Sequence, residues 1–271
     1  MTNAEEDFET IVGSIPDYIK RFIPKTIDQI VEWHRVHLAN VVADLHDDTV
    51  AYGPFKGLRF SQQSFWGGSD RGAMILGLYE SEVLDVLNEM SKKYKTFIDL
   101  GAADGYYGVG TLVNKMYEKS YCFEISDVGR EVIKNNAILN GVEDRITIHG
   151  EAKKDFLSEI PAQDLADSVL LVDIEGGEFD VIDESIFKTL NQSVILIEIH
   201  DWVEGFDQKF SNLLAASKAT HNVQKLTTTA RDLSCFEELK NFSDSDRWIL
   251  CSEGRGKLMS WLRFDPIQSV Q

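Results

Sequence analysis

Thr96-Phe-Ile-Asp-Leu-Gly-Ala-Ala-Asp-Gly-Tyr-Tyr-Gly-Val-Gly110 is the stretch on which the reading of this chain turns. Its first five residues are apolar and β-favouring, long enough for a buried parallel strand and too short for a helix. The run breaks at Gly101, and an apolar-periodic segment starting near Tyr106 predicts a helix. Strand, glycine turn and helix N-terminus together make a cradle for phosphate or carboxylate, because unpaired backbone N–H groups point outward there. The glycines stand at 101, 105 and 108, so the dinucleotide spacing G-x-G-x-x-G is absent. That absence disfavours a nucleotide-dependent oxidoreductase. Taken alone, the stretch is also compatible with a Rossmann-like turn that binds nothing, since fold does not fix function.

Downstream, apolar runs alternate with helical patterns. Strands are predicted at about 120–124, 145–149, 168–173, 193–199 and 222–228, with a last one at about 247–252. Helices are predicted over 127–139, ending at the C-cap pair Asn140-Gly141, then near 153–160 before Pro161, over 178–190 and over 206–219. This alternation implies an α/β, doubly wound, mostly parallel Rossmann-like sheet. The last strand follows a Ser/Asp-rich loop without a crossover helix, which fits antiparallel entry. Upstream, Ser81 is expected to cap a helix running to Met90, 50–60 to form a hairpin around Gly53-Pro54 and Gly57, and 65–72 to be a loop. Residues 1 to about 50 look helical: Ile11, Ile15, Ile19, Phe22 and Ile23 recur at helical spacing, Pro16 and Pro24 open helices, and Ile27 to Leu45 continue the pattern. The chain thus divides into a helical appendage with a hairpin, 1–75, serving as lid or dimerisation element, and a core domain, 76–271.

The 271 residues carry a net charge of −18, which argues against a nucleic-acid substrate, because phosphate binding rests on clustered Lys and Arg. The adjacent basic pairs, Lys20-Arg21, Lys92-Lys93 and Lys153-Lys154, read as solvated helix faces. No apolar run approaches the ~20 residues that span a bilayer, and no membrane partner is expected. Cys122, Cys235 and Cys251 lack metal spacing and make no disulfide set; with Cys122 and Cys251 in predicted core strands, they suit a reducing, cytoplasmic compartment. His34, His37 and His46 lack carboxylate or Cys partners on one face and read as structural or surface histidines.

Ligands of open α/β sheets sit at the carboxyl ends of the strands, so the residues there are the informative ones. The first strand leads through Asp99 into the glycine loop, the second ends in Glu124, and Glu151 follows the third. The fourth ends in Asp173-Ile-Glu175-Gly-Gly-Glu178 and the fifth in Glu198-Ile-His200-Asp201. Helix N-termini attract carboxylates as well, but four acidic strand ends in succession suit a ligand combining an anionic group, a ribose and an adenine. Residues two apart at a strand end project to the same side, which pairs Asp173 with Glu175 and Glu198 with His200.

The glycine loop resembles motif I of class I S-adenosylmethionine (SAM) methyltransferases. The string Asp-Ile-Glu-Gly-Gly-Glu at 173–178, Ile-Leu-Ile-Glu-Ile-His at 195–200, Leu-Asn-Gly-Val at 139–142 and Gly77-Leu-Tyr-Glu-Ser-Glu resemble the FkbM-type family within that class, over roughly 77–200. Ile125 departs from the proline common there. The resemblance implies SAM as cofactor and transfer of its methyl group to a hydroxyl of a small, sugar-containing or polyketide-like molecule. It further implies that Glu80, Asp99, Gly101, Ala103 and Gly105 surround the methionine part of SAM, with Asp173 beside it, Glu124 on the ribose and Glu151 on the adenine. His200, by its ordinary pKa, is the candidate general base, with Asp173 the other; Glu175 and Glu198 complete the cluster. The same histidine could instead be held by Asp201 or the backbone, and Asp173, Glu198 and His200 could instead hold Mg²⁺ or a similar ion. Metal-free chemistry is the expectation. The alternative from another class is a non-catalytic SAM- or nucleotide-binding module, and a homo-oligomer is compatible with the sequence.

Overall fold

The computed structural model describes residues 26–267. The apolar pattern of 11–23, both prolines taken to open helices and the pair Lys20-Arg21 lie outside them. A seven-stranded sheet in the order β3-β2-β1-β4-β5-β7-β6 organises the chain. Its strands are β1 Thr96–Leu100, β2 Lys119–Phe123, β3 Ile146–His149, β4 Ser168–Val172, β5 Val194–Glu198, β6 His221–Thr227 and β7 Ser260–Pro266. Strands β1 to β5 are parallel, while β7 lies between β5 and β6, antiparallel to both. The sheet is doubly wound and Rossmann-like, and its switch in strand order falls between β1 and β4.

Strands covered on both faces are apolar throughout, and β1, β4 and β5 alternate between two cores. Phe97, Val169, Leu171, Val194 and Leu196 face one side with Val83, Leu84, Leu87 and Leu112. Ile98, Leu100, Leu170, Val172, Ile195 and Ile197 face the other with Ile186, Phe187 and Leu213. A third cluster joins Leu38, Val42, Ile75 and Leu76 to Leu233, Phe236, Leu239 and Leu250. It packs α1 (Ile27–Leu45) and α2 (Arg71–Ile75) against α10 (Asp244–Leu250), tying the amino-terminal region to a segment late in the chain.

The remaining helices are α3 Ser81–Met90, α4 Tyr106–Val113, α5 Asp127–Leu139, α6 Ala162–Leu165, α7 Glu178–Val181, α8 Glu184–Thr189 and α9 Phe206–Ser217. Four expectations need correction. Residues 247–252 belong to α10 and its cap, because Ser243 accepts from the Asp246 N–H at 3.1 Å and starts a helix there; the antiparallel strand is 260–266. Ser81 is the first residue of α3, and the cap position is Glu80, in the left-handed region at φ 44°. The helix over 178–190 breaks into α7 and α8, because Asp183 caps anew through the N–H groups of Ser185 and Ile186. The hairpin at 50–60 reduces to one bridge between Thr49 and Arg59 around a tight turn. Cys251 accordingly sits at the end of a helix and not in a strand.

Candidate active site

The glycine loop is shaped by what passes behind it. Gly101 has φ 88°, and a Cβ there would fall 1.7 Å from the Asp173 carbonyl oxygen, so only glycine lets the ends of β1 and β4 come this close. On the other flank Glu124 holds the loop: one carboxylate oxygen accepts from the Ala103 N–H and the other from the Ser126 N–H, both at 2.8 Å. Gly105, at φ 82°, starts α4 without a side-chain cap.

A strap from 59 to 66 crosses over this loop. Asp104 accepts from the Phe65 and Trp66 N–H groups at 2.9 and 3.1 Å and from the Ser64 hydroxyl at 2.6 Å. Asn136 accepts from the Ser61 N–H at 2.8 Å and donates to the Asp104 carbonyl at 2.9 Å. Between strap and loop lies a cavity of about 520 Å³ whose wall includes Gly101, Ala103, Glu124, Glu151, Asp173 and Tyr79. That volume is within the range of small-molecule sites. Trp66, Tyr79, Asp173 and Glu175 form a wall shared with a second cavity of about 490 Å³, which Glu198, His200, Trp202, Glu253, Arg255 and Lys257 complete.

Of the residues expected around a cofactor, Gly101, Ala103, Glu124, Glu151 and Asp173 therefore line one space. Asp99, Glu80 and Gly105 do not line it. Asp99 shares the face of Phe97, two residues earlier, which turns it under α4 against Gly108. Its carboxylate is buried with no well-formed hydrogen bond, and burial pushes its pKa up to about 7, the nearby Gly108 N–H dipole offsetting this only in part. Glu80 is equally buried. It accepts from the Tyr107 hydroxyl, pairs with Arg255 and accepts from Trp261 Nε1 at 3.3 Å. Burial and the charge of Glu198 lift it to about 8 against the pull of Arg255.

Asp173, Glu175, Glu198 and His200 do converge. His200 is 1% exposed. Its Nδ1 lies 3.0 Å from a Glu178 oxygen that also accepts the His200 backbone N–H at 3.1 Å; the other Glu178 oxygen accepts from the Gly176 N–H at 2.9 Å. Nε2 faces Asp173 and Glu198 at 3.4 Å and Glu175 at 3.7 Å. Burial opposes charge on this ring, but the Glu178 and Glu198 carboxylates outweigh it and raise its pKa to about 10. That direction favours the protonated ring and weighs against the general-base role expected of His200 from its ordinary pKa. Its holder is Glu178, whereas Asp201 pairs with Lys257. Burial, reinforced by Glu198 and Glu80, pushes Asp173 well above the usual carboxylate range. Burial also works against ionisation of Glu198, yet His200 and the Arg255 guanidinium hold it at about 2.

His34 of α1 pairs with Asp246 at 2.7 Å and His46, the residue that caps it, with Glu238 at 3.0 Å, while His37 stacks against Trp33 and His34. Sequence reading missed Tyr79, Asp104, Asn136, Glu253 and Arg255 as parts of the site. Asp104 carried a signal, an acidic residue inside the turn before a helix; Arg255 stands in an unpatterned loop and carried none.

No family model and no curated protein matches the chain. Solved structures that it is similar to include a Streptococcus pneumoniae protein provisionally assigned as a tRNA (m1A22) methyltransferase, 10% identical over 70% of this chain and 72% of its own, with a TM-score of 0.45; that protein is also solved with S-adenosyl-L-methionine bound. A precorrin-6y C5,15-methyltransferase from Geobacter metallireducens is 12% identical over 70% of this chain and 90% of its own, at 0.43. A Klebsiella pneumoniae protein provisionally assigned as an O-methyltransferase is 11% identical over 97% and 99%, also at 0.43. Similarity of this degree assigns neither ligand nor reaction. Among the described residues no helix is long and apolar enough to cross a membrane.

Proposed function

We propose that the chain is a SAM-dependent O-methyltransferase acting on a small hydroxyl compound. The observation that carries the reading is the shared wall: a cradle-and-acid cavity and an ionisable cavity meet at Trp66, Tyr79, Asp173 and Glu175. SAM would occupy the first, its amino-acid end toward Gly101 and Ala103, its ribose near Glu124 and its adenine near Glu151. The FkbM resemblance of 173–178 points the same way. The acceptor would enter the second cavity, whose five carboxylates, Asp70, Asp173, Glu175, Glu198 and Glu253, disfavour a polyanion and suit a neutral molecule such as a carbohydrate.

Transfer needs alignment more than activation, because the sulfonium already labilises its methyl group. The acceptor oxygen forms the new O–C bond as the S–C bond breaks, leaving neutral S-adenosylhomocysteine. The hydroxyl proton passes to Asp173, a carboxylate that lines both cavities and so lies beside the point of transfer. The strap would act as the lid expected of the amino-terminal segment, since it brings Trp66 to both cavities.

Calorimetry tests the reading directly. SAM should bind the wild type, and Glu151→Ala, which removes an exposed side chain, should weaken it about tenfold, the scale of one hydrogen bond to charge. Asp173→Asn should lower kcat by ~10²–10⁴-fold toward a hydroxyl acceptor while SAM affinity stays nearly constant. Failure of SAM to bind, or tighter binding of NAD, would overturn it.

A further inference from the structure

The cluster at the ends of β4 and β5 is built in a way that proton transfer alone does not require. A buried histidine that only balanced acidic charge would hydrogen-bond those acids. His200 Nε2 instead stands 3.4 to 3.7 Å from three carboxylates, beyond the usual N–H···O range of 2.7–3.2 Å. Its other nitrogen is fixed by Glu178, itself fully buried and anchored at its second oxygen by Gly176. A carboxylate that takes the Nδ1 proton and turns Nε2 toward other ligands is the outer-shell arrangement of metal-bound histidines. One Asp173 oxygen is buried and has no hydrogen-bond partner.

We infer that Asp173, Glu175 and His200 form a site for one divalent transition-metal ion, of the Mn²⁺ or Zn²⁺ kind, with Glu178 as the positioning residue for His200. One ligand atom from each of the three lies within 4.8 Å of the others. Ligands at about 2.0–2.2 Å from an ion stand roughly 3.0–3.4 Å apart at octahedral or tetrahedral angles, so the two His200 separations, 3.4 and 3.7 Å, need to close by only a few tenths of an ångström, and the two carboxylates, within 4.8 Å, draw together on the ion by rotation of their side chains. A mixed imidazole and carboxylate set favours first-row ions over Ca²⁺. The open side of the site is the second cavity, where water or an acceptor hydroxyl completes the coordination.

The role of the ion rests on the methyltransferase reading; the site itself does not. There the ion would bind the acceptor oxygen and lower its pKa, and the proton would leave to cavity water. Asp173 would then be a ligand and not the proton acceptor. The S–C bond still breaks as the O–C bond forms.

The test is calorimetric titration of Mn²⁺ and Zn²⁺ into the chelator-treated full chain, with S-adenosylhomocysteine titrated in parallel and circular dichroism reporting the fold. One ion per chain is expected, weakened about 10–100-fold in Glu178→Gln and abolished in His200→Ala. The ¹⁴N modulation in the pulsed electron paramagnetic resonance spectrum of bound Mn²⁺ should be replaced by a ¹⁵N pattern on ¹⁴N to ¹⁵N exchange at histidine. A folded wild type that binds neither ion overturns the inference, as does undiminished binding to a folded His200→Ala. If ions bind as expected and S-adenosylhomocysteine does not, the metal site stands and the SAM reading falls. The reverse result removes only the metal.

Discussion

Asp99 shows how one residue's position in a strand decides its chemistry. One residue earlier or later, its carboxylate would face the opposite side of the sheet; where it stands, it is buried under α4 beside Gly108 and Cys122. Its folded pKa, about 7, lies above the ordinary value of 3.8. Protonated Asp99 is the form that the folded chain favours, so its contribution to stability is full below pH 3.8 and is lost as pH rises through 7. Asp99→Asn keeps the shape and removes the titration. The variant should exceed wild type in stability at pH 8 by an amount on the order of 4 kcal/mol at most, and the difference should vanish near pH 4. Urea denaturation at both pH values checks this; equal stability at pH 8 would mean the carboxylate finds a partner.

At the scale of elements, the strands were legible because burial on both faces writes an uninterrupted apolar run. Strand β1 falls where the sequence places it, and α5 as well. Two of the failures share a cause, an apolar run read without its cap: Asp183 restarts the helix over 178–190, and Ser243 opens one before 247–252. Trp248 to Cys251 reads as a strand until Ser243 is seen to open a helix, and β7 hides its pattern because Leu262 and Trp261 both bury. The glycine loop sets the prediction here. A Cβ at Gly108 would stand 2.2 Å from Cys122 Sγ, so α4 would have to lift from the sheet. Gly108→Ala should cost about 1–3 kcal/mol. Gly101→Ala meets backbone, not side chain, and adds strain at φ 88°, so it should cost more than Gly108→Ala and abolish ligand binding. Melting temperatures of the two variants order them; a Gly101→Ala protein as stable as wild type would refute the close approach of β1 and β4.

For the molecule as a whole, the site is drawn from parts of the chain with no local relation: the strap, the glycine loop, the ends of β4 and β5, and residues 253–259. The four strand-end acids could be read from the sequence because each ends an apolar run. Arg255 could not, because its pairing with Glu198 and Glu80 across 57 and 175 residues leaves no local pattern. Arg255 is the joint. It pairs with Glu80 ahead of α3, with Glu198 at the end of β5 and with Glu253 at 2.9 Å, and Arg231 extends the network to Glu82 and Glu253. Removing one partner of a buried ion pair costs about 3–5 kcal/mol, chiefly through the charge left behind. Glu198 sets the sign with pH. Its folded pKa, about 2, lies below the ordinary value of 4.5, so its stabilisation is present above 4.5 and is lost as pH falls through 2. Arg255→Ala should therefore be destabilised by that amount at pH 7.5, and the deficit should shrink toward pH 4 as the orphaned acids take up protons. Arg255→Lys, one charge without the fork, should recover part of the loss, since one ammonium cannot engage three carboxylates with the same geometry. Guanidinium chloride would mask the charges, so urea is the denaturant of choice. A deficit independent of pH would assign Arg255 a packing role and leave Glu198 to be held by His200 alone.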